Sequence, residues 1–188
     1  MTAVGGIVGP IAFVSAWVAT GAVTSSYSPV HDAISRLAAL HAPTRVAMSA
    51  GFVAFGVGLP TYAHALRRVL PGPAWIAAAV SGLATLGVAA APLDRSAAGD
   101  SLHGVFAGIG YVALAATPLL AAIALHRAHR PGWARVSAAF GAVAGASLAL
   151  TLAGPAHGLF QRAGLTVADV WVVASAIAIV RARPESRL

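Results

Sequence analysis

The chain is 188 residues long, 59% apolar and only 9% charged, with a formal net charge of +7, whereas an ordinary soluble domain is about 25% charged. Twelve basic residues and five acids cannot cover a soluble surface of this size, so lipid must be the solvent over much of it. The absence of cysteine and lysine excludes disulfides, thiolate catalysis, Cys-ligated zinc, iron–sulfur clusters and Schiff-base chemistry; arginines scattered as punctuation between apolar runs exclude a nucleic-acid-binding stripe.

Six apolar runs follow in order. The first covers residues 4–23, and twenty residues at 1.5 Å rise reach about 30 Å, the thickness of a hydrocarbon core. It lacks the basic lead and cleavage signature of a secretory signal and is read as part of the mature protein. In SPVHDAISRLAALHAP, Ser28 as cap, Pro29 as first residue and Pro43 as terminator predict a short helix. Its Ile34, Leu37 and Leu40 form an apolar side suited to lying in the membrane interface. The second run, 45–66, holds Gly51, Gly56, Gly58 and Pro60, which predict a bend. Pro71, Gly72 and Pro73 turn the chain into the third run, 74–91. The fourth, 102–125, carries Pro118; the fifth is 133–152. The sixth, 165–180, is the shortest and is interrupted by Asp169, so it is the weakest spanning segment. Glycine pairs at 5/9, 104/108 and 141/145 predict close helix packing. The expected fold is all-α: a single integral membrane domain forming a compact six-transmembrane-helix bundle, with a short interfacial helix after the first span.

An even number of spans puts both termini on one side. Arg67, Arg68, Arg127, Arg130, Arg135, Arg181, Arg183 and Arg187 collect there against Glu185. The other side holds Arg36, Arg45, Arg95 and Arg162 against Asp32, Asp94, Asp100 and Asp169. Short loops rich in arginine stay in the cytoplasm, so both termini are expected inside.

The candidate chemistry therefore gathers at the external ends of the spans. Asp100 and His103 are spaced i, i+3; such a pair ligates a metal, or caps a helix and hydrogen-bonds locally, and both readings stand. Asp169 interrupts an apolar run, where a carboxylate requires a partner or water. His157 and Asp94 complete a set of Asp94, Asp100, His103, His157 and Asp169 able to hold a divalent metal such as zinc. Ser35, Arg36 and Arg162 offer a hydroxyl and guanidinium forks to an anionic headgroup. The competing readings are a structural ion pair for Asp169, a solvated pair of Asp94 with Arg95, and a surface turn for His157.

Three stretches, YSPVHDAISRLA at 27–38, APLDRSAAGDSLHG at 91–104 and GLFQRAGL at 158–165, together with the order of six apolar runs, resemble a family of small prokaryotic integral membrane proteins of unknown function, the one numbered 998. The resemblance spans nearly the whole chain. It maps an Ile-Ser pattern before a leucine onto Ile34, Ser35 and Leu37, a proline-aspartate connection followed by a histidine onto Asp94 and His103, and a third pattern onto Gly158 and Arg162. Relatives often carry an aromatic residue and a cysteine around the proline where this chain has Ala91, Pro92, Leu93 and Asp94. The resemblance implies the membrane architecture and the cytoplasmic membrane of a prokaryote, and no substrate.

The leading functional expectation is a metal-dependent hydrolase or related enzyme acting on a membrane lipid or amphiphilic small molecule at the external leaflet, with metal-activated water and Arg36 or Arg162 binding the anion. The alternatives are a noncatalytic lipid-binding or accessory membrane protein and a small-molecule transporter. The transporter is disfavoured by the lack of a midspan pair or clear half-repeat, and a proton-coupled one also by the scarcity of acidic groups near midspan. No nucleic-acid partner is expected, and the oligomeric state is open.

Overall fold

A computed structural model describes residues 2–182; Arg183, Glu185 and Arg187 of the basic-end inventory lie outside the described residues. After a 3-10 turn, Thr2–Val4, come six α-helices: α1, Gly5–Val23; α2, Arg45–Val69; α3, Ala74–Ala90; α4, Ala97–Arg127; α5, Pro131–Leu150; and α6, His157–Arg181. Five of them are long and apolar enough to cross a membrane; α3, with 17 residues, is the shorter one. Helices adjacent in sequence pack on each other, α6 closes the ring onto α1, and α2 and α4 also reach α6 across the middle. The protein is a multi-pass, six-helix membrane bundle, as the apolar runs predict.

Two boundaries differ from expectation. α4 begins at Ala97 because Ser96 caps it, its Oγ accepting the N–H of Gly99 at 3.1 Å. α6 begins at His157 and runs 25 residues, so it is a full-length span and α3 is the short one. This moves Asp169 from the expected external end to the middle of its helix.

Between α1 and α2 the chain forms one short 3-10 helix, Ile34–Ala38. A longer helix from Pro29 does not form, because its backbone groups are used elsewhere. The carbonyls of Pro29 and Asp32 accept from Arg162, and the Ile34 N–H donates to Gln161. Ser28 closes a turn instead of capping a helix: its N–H donates to the Asp32 carboxylate at 2.7 Å and its carbonyl accepts the Asp32 N–H. Ile34, Ser35, Leu37 and Ala38 are buried, so the segment 24–44 is a roof tucked into one end of the bundle. That end, where α1, α3 and α5 finish, is called the roofed end below.

Glycine sets the tightest approach between helices. A Cβ on Gly58 of α2 would stand 2.9 Å from the Gly9 Cα and 2.6 Å from the Gly5 carbonyl oxygen, so α1 and α2 touch backbone to backbone. Gly141 packs similarly against Leu119. Gly104 and Gly108 do not fit the expectation: nothing lies within 4 Å of a Cβ placed on either, and this side of α4 faces outward.

Candidate functional site

The roof is held from below by the first turns of α6. Arg162 is buried, and its Nη1 donates to the carbonyls of Pro29 (2.7 Å), Asp32 (3.0 Å) and Gly158 (2.8 Å). Its guanidinium carbon lies 5.4 Å from the ring centre of Trp17 and 5.2 Å from that of Tyr27, so two aromatic faces flank the cation. Gly158 is what allows this approach: a Cβ there would collide with the Asp32 backbone oxygen. The Leu159 N–H donates to the Val30 carbonyl at 3.0 Å, extending the seam.

One residue along, Gln161 links three elements. Its Oε1 accepts the Ile34 N–H at 2.9 Å, and its Nε2 donates to the Tyr111 hydroxyl of α4. The buried amide thus ties roof, α6 and α4 together, with both ends of the amide group engaged.

Beneath this tie lies a cavity with about 40 Å³ open to the centres of water-sized spheres. Phe13, Phe52, Phe55, Phe106 and Leu114 make it apolar, and Ser35, Ser81, Thr85, Gln161 and Tyr111 supply its few polar groups. Its lining contains no aspartate, glutamate, histidine, lysine or arginine. A separate surface cleft of about 270 Å³ opens above the roof, lined by Thr24, Ser26, Tyr27, Asp32, Arg36 and Thr44 among others. Ser35 lines the cavity and Arg36 lines the cleft, so these neighbours face different spaces instead of presenting one joint headgroup site.

The remaining sequence-predicted residues separate. Arg36 pairs with Asp94 at 3.0 Å, both side chains about half exposed, with 56% and 45% of their surface accessible. Asp94 holds a left-handed backbone, φ 65°, which Asp100 stabilises by accepting the Asp94 N–H at 2.9 Å. Asp94 therefore pairs with Arg36 across the roof and not with Arg95 in the bland reading. His103 donates from Nδ1 to the Ala91 carbonyl at 2.7 Å, and its Nε2 is buried and without a partner among the described residues. Asp100 and His103 thus each fasten the α3–α4 connection at a different point. His157 starts α6, and Asp169 lies twelve residues further on, about 18 Å along the axis at 1.5 Å per residue. Among the described residues, no three His, Cys, Asp or Glu side chains come together to hold a metal ion. The expected centre of Asp94, Asp100, His103, His157 and Asp169 is not assembled among the described residues: Asp94, Asp100 and His103 serve the α3–α4 connection at different points, His157 starts α6, and Asp169 lies twelve residues further along that helix. The residues present do not fit the divalent ion that the hydrolase expectation required.

Gln161 and Tyr111 are the site residues that the sequence reading passed over. The signal for Gln161 was available: an uncharged polar residue beside Arg162 in GLFQRAGL, inside what proves to be a helix. Tyr111 carries no such signal, since a tyrosine in an apolar run reads as packing.

Residues 7–178, which include the roof, its anchors and the cavity walls, match the family described as protein of unknown function, DUF998. The chain belongs to the DUF998 family. No curated protein and no solved structure matches it. In this DUF998 protein the three stretches that carried the resemblance meet at the roofed end: 27–38 builds the roof, 91–104 ties to it through Asp94 and through the Leu93 carbonyl, which accepts the Leu40 N–H at 2.9 Å, and 158–165 clamps it from below.

The exposed Arg36–Asp94 pair is a weak member of this assembly. Exposed ion pairs contribute roughly 0–1 kcal/mol, so Arg36→Ala is expected to lower the thermal midpoint in detergent only slightly, whereas loss of cooperative unfolding would show that the pair holds the roof.

Proposed function

We propose that this DUF998 protein is a noncatalytic membrane protein that binds the apolar end of a lipid or small amphiphile in the cavity beneath the roof. The observation that supports binding over hydrolysis is the lining itself. Five aromatic rings and a few hydroxyl and amide groups surround a space with no imidazole or carboxylate to activate water or a serine. Cavities of this composition favour apolar guests over water, and Ser35, Gln161 and Tyr111 stand where the polar part of a guest would leave the apolar space. The volume of about 40 Å³, well under the roughly 150 Å³ that holds a benzene ring, suits the tip of one chain and does not suit a ring or a whole phospholipid.

In the same reading the roofed end faces the external leaflet. Arg67, Arg68, Arg127 and Arg130 lie at the opposite end of the helices, and the tendency of arginine-rich connections to remain cytoplasmic supports a multi-pass protein of a prokaryotic cytoplasmic membrane with both termini in the cytoplasm.

The test is photocrosslinking with a fatty acid that carries a diazirine near the chain end, using the full chain in phospholipid vesicles. Crosslinks are expected on Phe106, Tyr111 and Leu114. Ala107→Phe, which fills the cavity, is expected to reduce them about tenfold, equivalent to about 1.4 kcal/mol. Ile109→Phe, on the outward side of the same helix, is expected to leave them unchanged. Equal labelling in both variants, or labelling confined to outward residues, would refute the proposal.

A further inference from the structure

The cavity and roof leave one buried ionisable group without an assignment. Asp169 is 3% exposed, and neither carboxyl oxygen has a hydrogen-bond partner among the described residues. It is the thirteenth residue of a 25-residue span, so it lies near midspan. Residues 162, 169 and 176 recur every seven positions and fall on one face of α6. The two ends of that face are located. Arg162 lies against Trp17 of α1, and the Ala176 Cβ would stand 3.0 Å from a Cβ on Gly6, also of α1. Asp169 therefore lies on the α1-facing side, level with residues 10–13 of α1.

Among the described residues no cation pairs with the carboxyl group. α1 contains no titratable side chain. On α2, Tyr62 is committed to Ser175 at 2.7 Å, while Arg45, His64, Arg67 and Arg68 are exposed toward its two ends. On α4, Tyr111 is engaged by Gln161, Asp100 and His103 belong to the roofed end, and His126 and Arg127 to the other. Arg135 of α5 is exposed, as is Arg36 of the roof. On α6 itself, His157 and Arg181 are the end residues, and Arg162 lies two turns away with its Nη1 on roof carbonyls and its Nε and Nη2 buried without a hydrogen-bond partner among the described residues, forming no ion pair with Asp169. Among the described residues the one ion pair is Arg36 with Asp94. An isolated carboxylate at this depth is strongly disfavoured, and binding a proton is the simplest way to neutralise it.

We propose that Asp169 is a proton-binding site, holding one proton per chain at the middle of the bundle on the α1-facing side of α6. The bound species is a proton and not a metal cation, because a cation would need several oxygen ligands, and no second carboxylate shares this face. The site is independent of what fills the cavity. It supplies the midspan acidic group whose expected absence counted against proton-linked activity.

The test uses the full chain in phospholipid vesicles, treated at about pH 5, 7 and 9 with lipid-soluble dicyclohexylcarbodiimide, which attacks protonated carboxyls, followed by peptide mapping. Asp169 is expected to be modified at the lowest pH and about tenfold less at the highest, while a water-soluble carbodiimide modifies Asp94 and Asp100 instead. Added sodium at fixed pH is expected to give no protection. In parallel, the infrared difference between wild type and Asp169→Asn is expected to contain the carbonyl stretch of a protonated carboxylic acid. No modification at any pH, modification independent of pH, protection by sodium, or absence of the acid band in a folded Asp169→Asn comparison would each overturn the proposal.

Discussion

Replacing Arg162 by methionine is expected to destabilise the protein by about 3 kcal/mol or more, and to release residues 24–44 to proteases while the helices persist. The side chain of methionine keeps much of the apolar bulk, so the loss isolates the guanidinium. Three backbone carbonyls lose one charged donor, and hydrogen bonds to charged groups contribute roughly 1.5–3 kcal/mol each at most when buried. The stacking against Trp17 and Tyr27 disappears as well, worth about 1–2 kcal/mol in a dry setting. Arg162→Lys should recover part of the effect, since an ammonium reaches carbonyls but cannot stack as a plane between two rings. Limited proteolysis of the variant in vesicles, with cleavage mapped by mass, checks this. Cleavage in 24–44 no faster than in the wild type would show that the clamp is dispensable.

The second large effect is expected at Gln161. Gln161→Leu preserves volume but strands the buried Ile34 N–H and removes the donor to Tyr111, and each unsatisfied buried group costs about 1–3 kcal/mol. A total near 2–6 kcal/mol should appear as a lower thermal midpoint. The companion variant Tyr111→Phe removes only the hydroxyl, so it should cost less, roughly 1 kcal/mol. If the two variants lose stability equally, the bond to the roof contributes nothing and the amide serves α4 alone. Both measurements also bear on guest binding, because the two side chains line the cavity.

The spans were legible because lipid imposes a length and an apolarity that few other settings require, and Val, Leu, Ile and Ala runs satisfy both. The fourth boundary moved for a local reason: Ser96 reads as one polar residue among several, and only its bond to Gly99 distinguishes it as the cap. The sixth boundary moved for a tertiary reason. His157, Gln161 and Arg162 make residues 157–164 look like a connection, yet two of those polar groups are buried partners of the roof and the segment is helical. The short helix after the first span is present, but it covers Ile34–Ala38 and does not start at Pro29. The capping residues of segment 29–42 are suited to a helix, but its carbonyls and N–H groups go to α6, which lies more than a hundred positions away in sequence. Both differences in extent come from the same set of hydrogen bonds seen from its two sides, and no local pattern reveals either half alone. The cavity was illegible because Phe13, Phe52, Phe55 and Phe106 come from three helices and read individually as packing.

Because the segment that follows the first helix is fastened by residues of the last, its final shape depends on chain that leaves the ribosome more than a hundred residues later. Through most of biosynthesis, residues 24–44 have no Arg162 or Gln161 to dock on, and five helices stand inserted with one end of the bundle uncovered. Arrival of α6 thus does two jobs at once, closing the ring against α1 and seating the roof, which makes completion of the roofed end a late event in maturation.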